Sequence, residues 1–250
     1  MILPVFPVSY GDFMLARALA ERIVKLGGMQ DHEALVVSSW RVKLDAPEIV
    51  AILAKGFKKV DFTVPEFEDE AWPAGPNSMF IATADYLETK DNTLPWFWLE
   101  SDVFPFAPGW LETWEKEYAQ SKKPYMGHIN ISRYKNLETG ARFEKGHHLM
   151  GVATYPADYM RRCKMIQSVP ATISWDTWTG EEVVPETHDT NLLAHRWGTC
   201  RYRRNEKNQI VMDAVDPVNY HDYSVPIPEE AVLVHGCKDG SIYTLYENQS

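Results

Sequence analysis

The stretch Pro95-Trp96-Phe97-Trp98-Leu99-Glu100-Ser101-Asp102-Val103-Phe104-Pro105 decides the fold. It opens as a dense apolar and aromatic run, the pattern of a strand covered on both faces. The acids Glu100 and Asp102 then follow, one residue apart. In an extended chain residues i and i+2 share a side, so both carboxylates are expected to leave the C-terminal end of a buried strand together. In open α/β sheets ligands bind just outside that end. Pro105, Pro108 and Gly109 break the strand, and Trp110 to Tyr118 reads as the next helix. A solvated acidic turn is the plain alternative for such a pair. The apolar strand before it and the aromatic rim after it favour a divalent cation, because Mg²⁺ and Mn²⁺ take one or two carboxylates together with substrate phosphates.

Working outward, the N-terminal side alternates strands and helices. Ile2 to Val8 reads as a strand, and Phe13 to Leu26 carries Leu15, Leu19, Ile23 and Leu26 at helical spacing, with Asp12 as N-cap and Gly27-Gly28 as stop. A short buried strand over His32 to Ser38, a helix over Ala46 to Lys55 and a strand over Val60 to Val64 follow. Glu66 to Gly75 reads as a surface loop and Asn77 to Glu88 as a helix leading into the pivotal strand. This β-α-β-α-β order predicts an α/β fold with a mostly parallel sheet and right-handed crossovers. Neither G-x-G-x-x-G nor G-x-x-x-x-G-K-[ST] is present, so the phosphate loops of dinucleotide enzymes and P-loop NTPases are both missing.

Downstream, Pro124 to Ile131 reads as a strand, Asn136 to Lys145 as a polar loop, and Leu149 to Thr154 as a strand interrupted by Gly151, with Tyr155-Pro156 opening a helix. Glycine inside a strand marks close approach of a ligand or another backbone. His147 and His148 read as loop histidines, since nothing near them completes a zinc spacing. In Ser174-Trp175-Asp176-Thr177-Trp178 an acid lies between two large rings, where it is either a helix cap or a general base for a nearby hydroxyl. His188 to Gly198 reads as a helix with Asp189 in its first turn, where the helix dipole alone accounts for an acid. Ala231 to Val234 delivers His235 from an apolar strand, and Gly236-Cys237-Lys238 follows at once. Imidazole is a good Mn²⁺ ligand, and an ammonium beside a diphosphate stabilises a leaving group.

Composition bounds the rest. The 250 residues suffice for one α/β domain with a sizeable core. A formal net charge of −10 argues against a broad nonspecific grip on nucleic acid. Arg201, Arg203, Arg204 and Lys207, or Arg161, Arg162 and Lys164, still offer local basic patches, more simply solvated faces. Cys163, Cys200 and Cys237 form no disulfide framework, which fits a reducing compartment. Met1 to Val8 lacks the basic flank of a signal peptide, so the protein is expected to be cytoplasmic and the Asn130 and Asn248 sequons to be chance matches.

Glu100-Ser101-Asp102 resembles the DXD-type motif of GT-A fold glycosyltransferases, with Glu in place of the first Asp, and His235-Gly236-Cys237-Lys238 resembles the C-terminal element that closes the metal site in that family. The order of elements from Met1 to about Tyr243 agrees. The resemblance implies a single GT-A domain over 1–250, with 1–105 binding the nucleotide sugar and 106–250 the acceptor. It implies Asp102 and His235 as ligands of Mn²⁺ or Mg²⁺, with Glu100 and Ser101 beside the donor and Lys238 on its diphosphate. The loop Pro7, Val8, Ser9 and Tyr10 is expected to cradle the nucleoside, together with Ser38 and Trp40 from the end of the second strand. The donor implied is a nucleotide sugar, a UDP-sugar first. His188-Asp189-Thr190-Asn191-Leu192 is similar to the E-D-x-D-L helix of inverting members, with His and Asn replacing two acids, so the catalytic base is left between Asp176 and Asp189. Small transferases of bacteria and their phages share this compact form, and a hydroxymethylated base in phage DNA, a glycan or a small molecule are the acceptors considered. No protein partner is expected. A nucleotidyltransferase and a noncatalytic nucleotide- or carbohydrate-binding module are the competing readings; the first usually carries a Lys/Arg-rich loop where this chain has Ser9-Tyr10-Gly11-Asp12.

Overall fold

The computed structural model describes residues 1–66, 71–135, 142–195, 201–215 and 222–247. Strands β1 (Leu3–Val8), β2 (Glu33–Ser38), β3 (Lys59–Thr63) and β4 (Trp96–Trp98) alternate with helices α1 (Phe13–Leu26), α2 (Pro47–Leu53) and α3 (Ala74–Thr89). A further strand β5 (Val103–Pro105) precedes α4 (Trp110–Ser121) and the long pair β6 (Tyr125–Lys135) and β7 (Arg142–Tyr155). Short helices α5 (Tyr159–Arg162), α6 (Trp175–Trp178) and α7 (Gly180–Val183) lead to β8 (Thr187–Asp189) and β9 (Leu193–Ala194). The chain ends with β10 (Arg201–Arg204), β11 (Ile210–Val215), β12 (Asp222–Pro226), β13 (Leu233–His235) and α8 (Ser241–Glu247).

The main sheet has the order β3-β2-β1-β4-β7-β6-β8. β1 to β4 run parallel, as the β-α alternation requires, and β7 enters antiparallel to both β4 and β6. Alternation along β4 sends Phe97 to one face and Trp96 and Trp98 to the other. Phe97 stacks on Trp114 of α4 at 4.4 Å, in the core under α1 and α4. Trp96 and Trp98 pack around Phe80 of α3, which stacks on Trp175. Both faces of the sheet are therefore covered, and an opening is left beyond the C-terminal ends of β1 and β4.

Several expectations are corrected. The pivotal strand is not continuous: it stops at Trp98, and Val103 begins a strand of a second sheet, β5-β13-β9. The acids sit in a turn closed by the Val103 N–H donating to the Glu100 carbonyl, and the turn rather than strand pleat brings them together. Asp12 makes no side-chain cap; its carboxylate accepts the Ser9 hydroxyl at 3.0 Å. α3 begins at Ala74, inside the stretch expected to be loop, while 67–70 lie outside the described residues. The expected polar loop over 136–145 is strand from Arg142 onward, and 136–141 lie outside the described residues. His148 is consequently a buried strand residue. The expected helix over 188–198 is replaced by β8 and β9, with 196–200 outside the described residues. Cys200 and Asn248 also lie outside them. Among the described residues no helix is long and apolar enough to cross a membrane.

Candidate active site

Two strands converge on Asp102. The Leu99 N–H donates to the Val5 carbonyl, which carries the chain from β4 to the same edge as the loop after β1. From the other side β13 pairs antiparallel with β5, His235 opposite Val103. Gly236 then adopts φ 93°, a left-handed conformation that suits glycine, and the turn lets the Cys237 N–H donate to the Asp102 carbonyl at 2.9 Å. Lys238 emerges directly over the opening.

The result is a compact cluster. His235 Nε2 lies 2.9 Å from Glu100 Oε2 and 3.3 Å from Asp102 Oδ1, and the three groups offer ligand atoms that all lie within 4.8 Å of one another. Burial by itself lowers the His235 pKa, but the Asp102 charge and hydrogen bonds to Asp102 and Glu100 push it up to about 10. Burial likewise raises Asp102, yet His235 and the nearby Lys238 outweigh it and hold the carboxyl below its ordinary value. A divalent cation fits the same donor set: two carboxylates and an imidazole suit Mn²⁺ or Mg²⁺ with open positions left for phosphate. Asp102 Oδ2, buried and without a hydrogen-bond partner among the described residues, is the kind of atom such an ion satisfies.

The cluster opens onto a cavity of about 500 Å³. Of the expected residues, Pro7, Ser9, Tyr10, Glu100, Ser101, Asp102 and Lys238 line it. Val8 does not, because its side chain is in the core, and Ser38 is buried with its hydroxyl donating to the Ser39 carbonyl. Trp40 is more than half exposed, and its neighbour Arg41 lines the cavity instead. The reading missed Asp12, Arg41, Trp72 and the apolar floor of Met79 and Trp98. Tyr10 and Trp72 stand at the rim with rings about three-quarters exposed.

The base candidates separate. Asp176 heads the short α6, where its carboxylate accepts the N–H of Thr177 at 2.7 Å. Its neighbour Trp175 approaches Gly151 where Glu100 does: a Cβ on Gly151 would meet Trp175 at 3.7 Å and overlap the Glu100 carboxylate. Asp189 is at a sheet edge, accepts the Ile129 N–H at 2.9 Å, and is 3.9 Å from His128. The ring of His128 neighbours that of His195, which neighbours His235.

No family model and no curated protein sequence matches the chain. Solved structures do. An active-site mutant of LgtC superposes with a TM-score of 0.52 at 13% identity, covering 94% of this chain and 87% of that one. Galactosyltransferase LgtC in complex with donor and acceptor sugar analogues gives 0.50 at 12% identity, with the same coverage. Mouse xyloside xylosyltransferase 1 gives 0.49 at 11% identity over 78% of this chain and 88% of that one. The likeness to LgtC, with the mostly parallel sheet flanked by helices, establishes a GT-A fold.

Proposed function

We propose that this protein is a metal-dependent glycosyltransferase that moves a sugar from a nucleotide sugar, a UDP-sugar first, to an acceptor hydroxyl. The observation that carries the reading is the Glu100–Asp102–His235 cluster opening, beside Lys238, onto a cavity at the strand ends. Residues 1–105 hold the donor and 106–250 the acceptor, the second part closing the site through His235. Asp102 and His235 would hold Mn²⁺ or Mg²⁺ with Glu100 completing the set; bound there, the ion neutralises the departing diphosphate. Lys238 donates a charge-assisted hydrogen bond to a phosphate oxygen. The rings of Tyr10 and Trp72 cover the donor's flat and apolar faces.

Asp176 is the base we favour, because its neighbour Trp175 and the Glu100 carboxylate both border the space above Gly151, whereas Asp189 is at the sheet edge, held by the Ile129 N–H. Its carboxylate takes the acceptor proton as the hydroxyl oxygen bonds the anomeric carbon and the diphosphate leaves with the electrons of the old bond, inverting the centre. For the acceptor, Arg203 is paired with Asp213 at 2.6 Å and Arg204 donates to the Asn208 carbonyl, so the basic stretch spends charge internally. With a net charge of −10, a glycan or small-molecule hydroxyl comes before a hydroxymethylated base in phage DNA. A nucleotidyltransferase is disfavoured by the acidic Asp12 in the loop that lines the cavity.

The test is a thermal-shift panel of nucleoside diphosphates and UDP-sugars with Mn²⁺ and with EDTA, on wild type and Asp102→Ala. Ligand binding to the native state raises the melting temperature. The expected result is a Mn²⁺-dependent shift with UDP that Asp102→Ala loses; a shift indifferent to both metal and Asp102 sinks the reading.

A further inference from the structure

β9 and β13 run parallel, with Leu193 opposite Leu233 and Ala194 opposite Val234. The next residues along the two strands are His195 and His235, so strand pairing brings the two imidazoles side by side. Their ring centroids are 4.8 Å apart and the planes are tilted by 30°. Both residues are buried, at 8% and 7% exposure. His195 offers no atom to the ligand set of Glu100, Asp102 and His235. It covers the face of the one imidazole in that set.

That face matters because an imidazole binds a cation along its in-plane lone pair, so rotation about χ2 swings Nε2 away from the ion. The backbone of the element is already tied. The His235 carbonyl accepts the Tyr202 hydroxyl at 3.3 Å, and Cys237 N–H holds the Asp102 carbonyl. These bonds fix where the strand is; the ring is held at one edge by Nε2 against Glu100 and Asp102, and His195 packs beside it. We propose that His195 is a positioning residue: packed on the face of His235, it holds the plane of that ring so that Nε2 stays aimed at Glu100 and Asp102. Outer contacts that orient a metal ligand commonly change metal affinity 10- to 100-fold when removed. The inference rests on the metal-site reading above, and the experiment separates the two.

Mn²⁺ binding is measured by electron paramagnetic resonance, and the visible absorption of bound Co²⁺ reports the geometry of the ligand set. Wild type, Asp102→Ala, His195→Ala, His195→Leu and His195→Phe are compared. The expected result is that His195→Ala and His195→Leu weaken Mn²⁺ binding about 10-fold or more and alter the Co²⁺ spectrum, while His195→Phe, which restores a flat ring, stays within about 3-fold of wild type with its Co²⁺ band unchanged. His195→Leu fills the volume without a flat face, so it carries the comparison if His195→Ala fails to fold. Wild type that binds no Mn²⁺, or binds it equally with Asp102→Ala, overturns the metal site and this inference together. Binding that depends on Asp102 but is unchanged in His195→Leu and His195→Ala overturns this inference alone. Equal loss in His195→Phe and His195→Leu overturns it too, since ring packing would then not be what the metal site needs.

Discussion

Gly151 leaves room that the Glu100 carboxylate fills: a Cβ at 151 would overlap Oε1 of Glu100 and lie 3.7 Å from Trp175 Cζ2. Gly151 is not a turn glycine, because it sits within β7; its service is space. The Glu100 carboxylate occupies the space that a side chain at this point of the strand would take.

Gly151→Ala should therefore act on the cluster more than on the fold. Overpacking of a buried site costs about 1–3 kcal/mol. The methyl displaces Glu100 from His235, and Mn²⁺ affinity should fall about 10-fold, the lower end for disturbed ligand support. Calorimetric Mn²⁺ titration and thermal unfolding of the same variant check both. Wild-type Mn²⁺ affinity in Gly151→Ala removes Glu100 from the ligand set.

Lys238 should separate diphosphate binding from metal binding. It lines the cavity beside Ser101 and Asp102. Lys238→Met keeps much of the stem and removes the charge, so UDP affinity should fall about 10-fold, or about 1.4 kcal/mol. Mn²⁺ binding in the absence of nucleotide should not weaken. Titrations with Mn²⁺ alone and with UDP plus Mn²⁺ test this; a UDP affinity equal to wild type excludes Lys238 from phosphate contact.

The two acids left open as base should differ sharply once an acceptor is found. Asp176→Asn should lower kcat by about 10²- to 10⁴-fold with nucleotide-sugar affinity retained. Asp189→Asn keeps an oxygen able to accept the Ile129 N–H and should stay within about 3-fold of wild type. Single-turnover rates read the difference. Near-normal turnover in Asp176→Asn shows that Asp176 is not the base, and the expectation of inversion goes with it.

How much of this was legible in the sequence depended on whether the signal was local. The apolar period of Phe13–Leu26 gave a helix whose bounds agree with the structure, the helix expected over Trp110 to Tyr118 runs on to Ser121, and the apolar run through Trp98 marked the central strand. Leu192-Leu193-Ala194 failed because a short apolar run suits a buried strand as well as a helix. Pairing with β13 decided it, and no local signal carries that. The cluster of Glu100, Asp102 and His235 was legible because acids at a strand end and a histidine after an apolar run are chemically conspicuous. Arg41, Trp72 and Met79 were not, since three separate segments meet at the cavity only after the sheet and α3 are packed. His195 was hidden for the same reason: its partner is 40 residues away and is supplied by strand register.

The last prediction concerns pH and a pair outside the site. His32 Nε2 lies 3.2 Å from Glu115 Oε2, and the other Glu115 oxygen accepts the Ile2 N–H, so the pair fastens the start of β1 to α4. The hydrogen bond to Glu115 raises the His32 pKa above its ordinary 6.5, against the opposing effect of burial. Burial raises Glu115, and the bonds from His32 and Ile2 outweigh it, leaving its carboxyl below its ordinary 4.5. A raised histidine contributes stability that is complete below the unfolded value and fades as pH climbs through the folded one. A depressed carboxyl contributes above its unfolded value and fades as pH falls through the folded one. The pair therefore contributes most between about pH 4.5 and 6.5 and weakens on either side. His235, pushed up to about 10, also loses stabilisation as pH rises in metal-free protein, so wild type alone cannot isolate His32. The difference in melting temperature between wild type and His32→Gln, taken from pH 4 to 9 in EDTA, removes that background. It should be largest near pH 5.5 and shrink toward pH 9; a difference that is flat or grows with pH means that His32 is not charged beside Glu115.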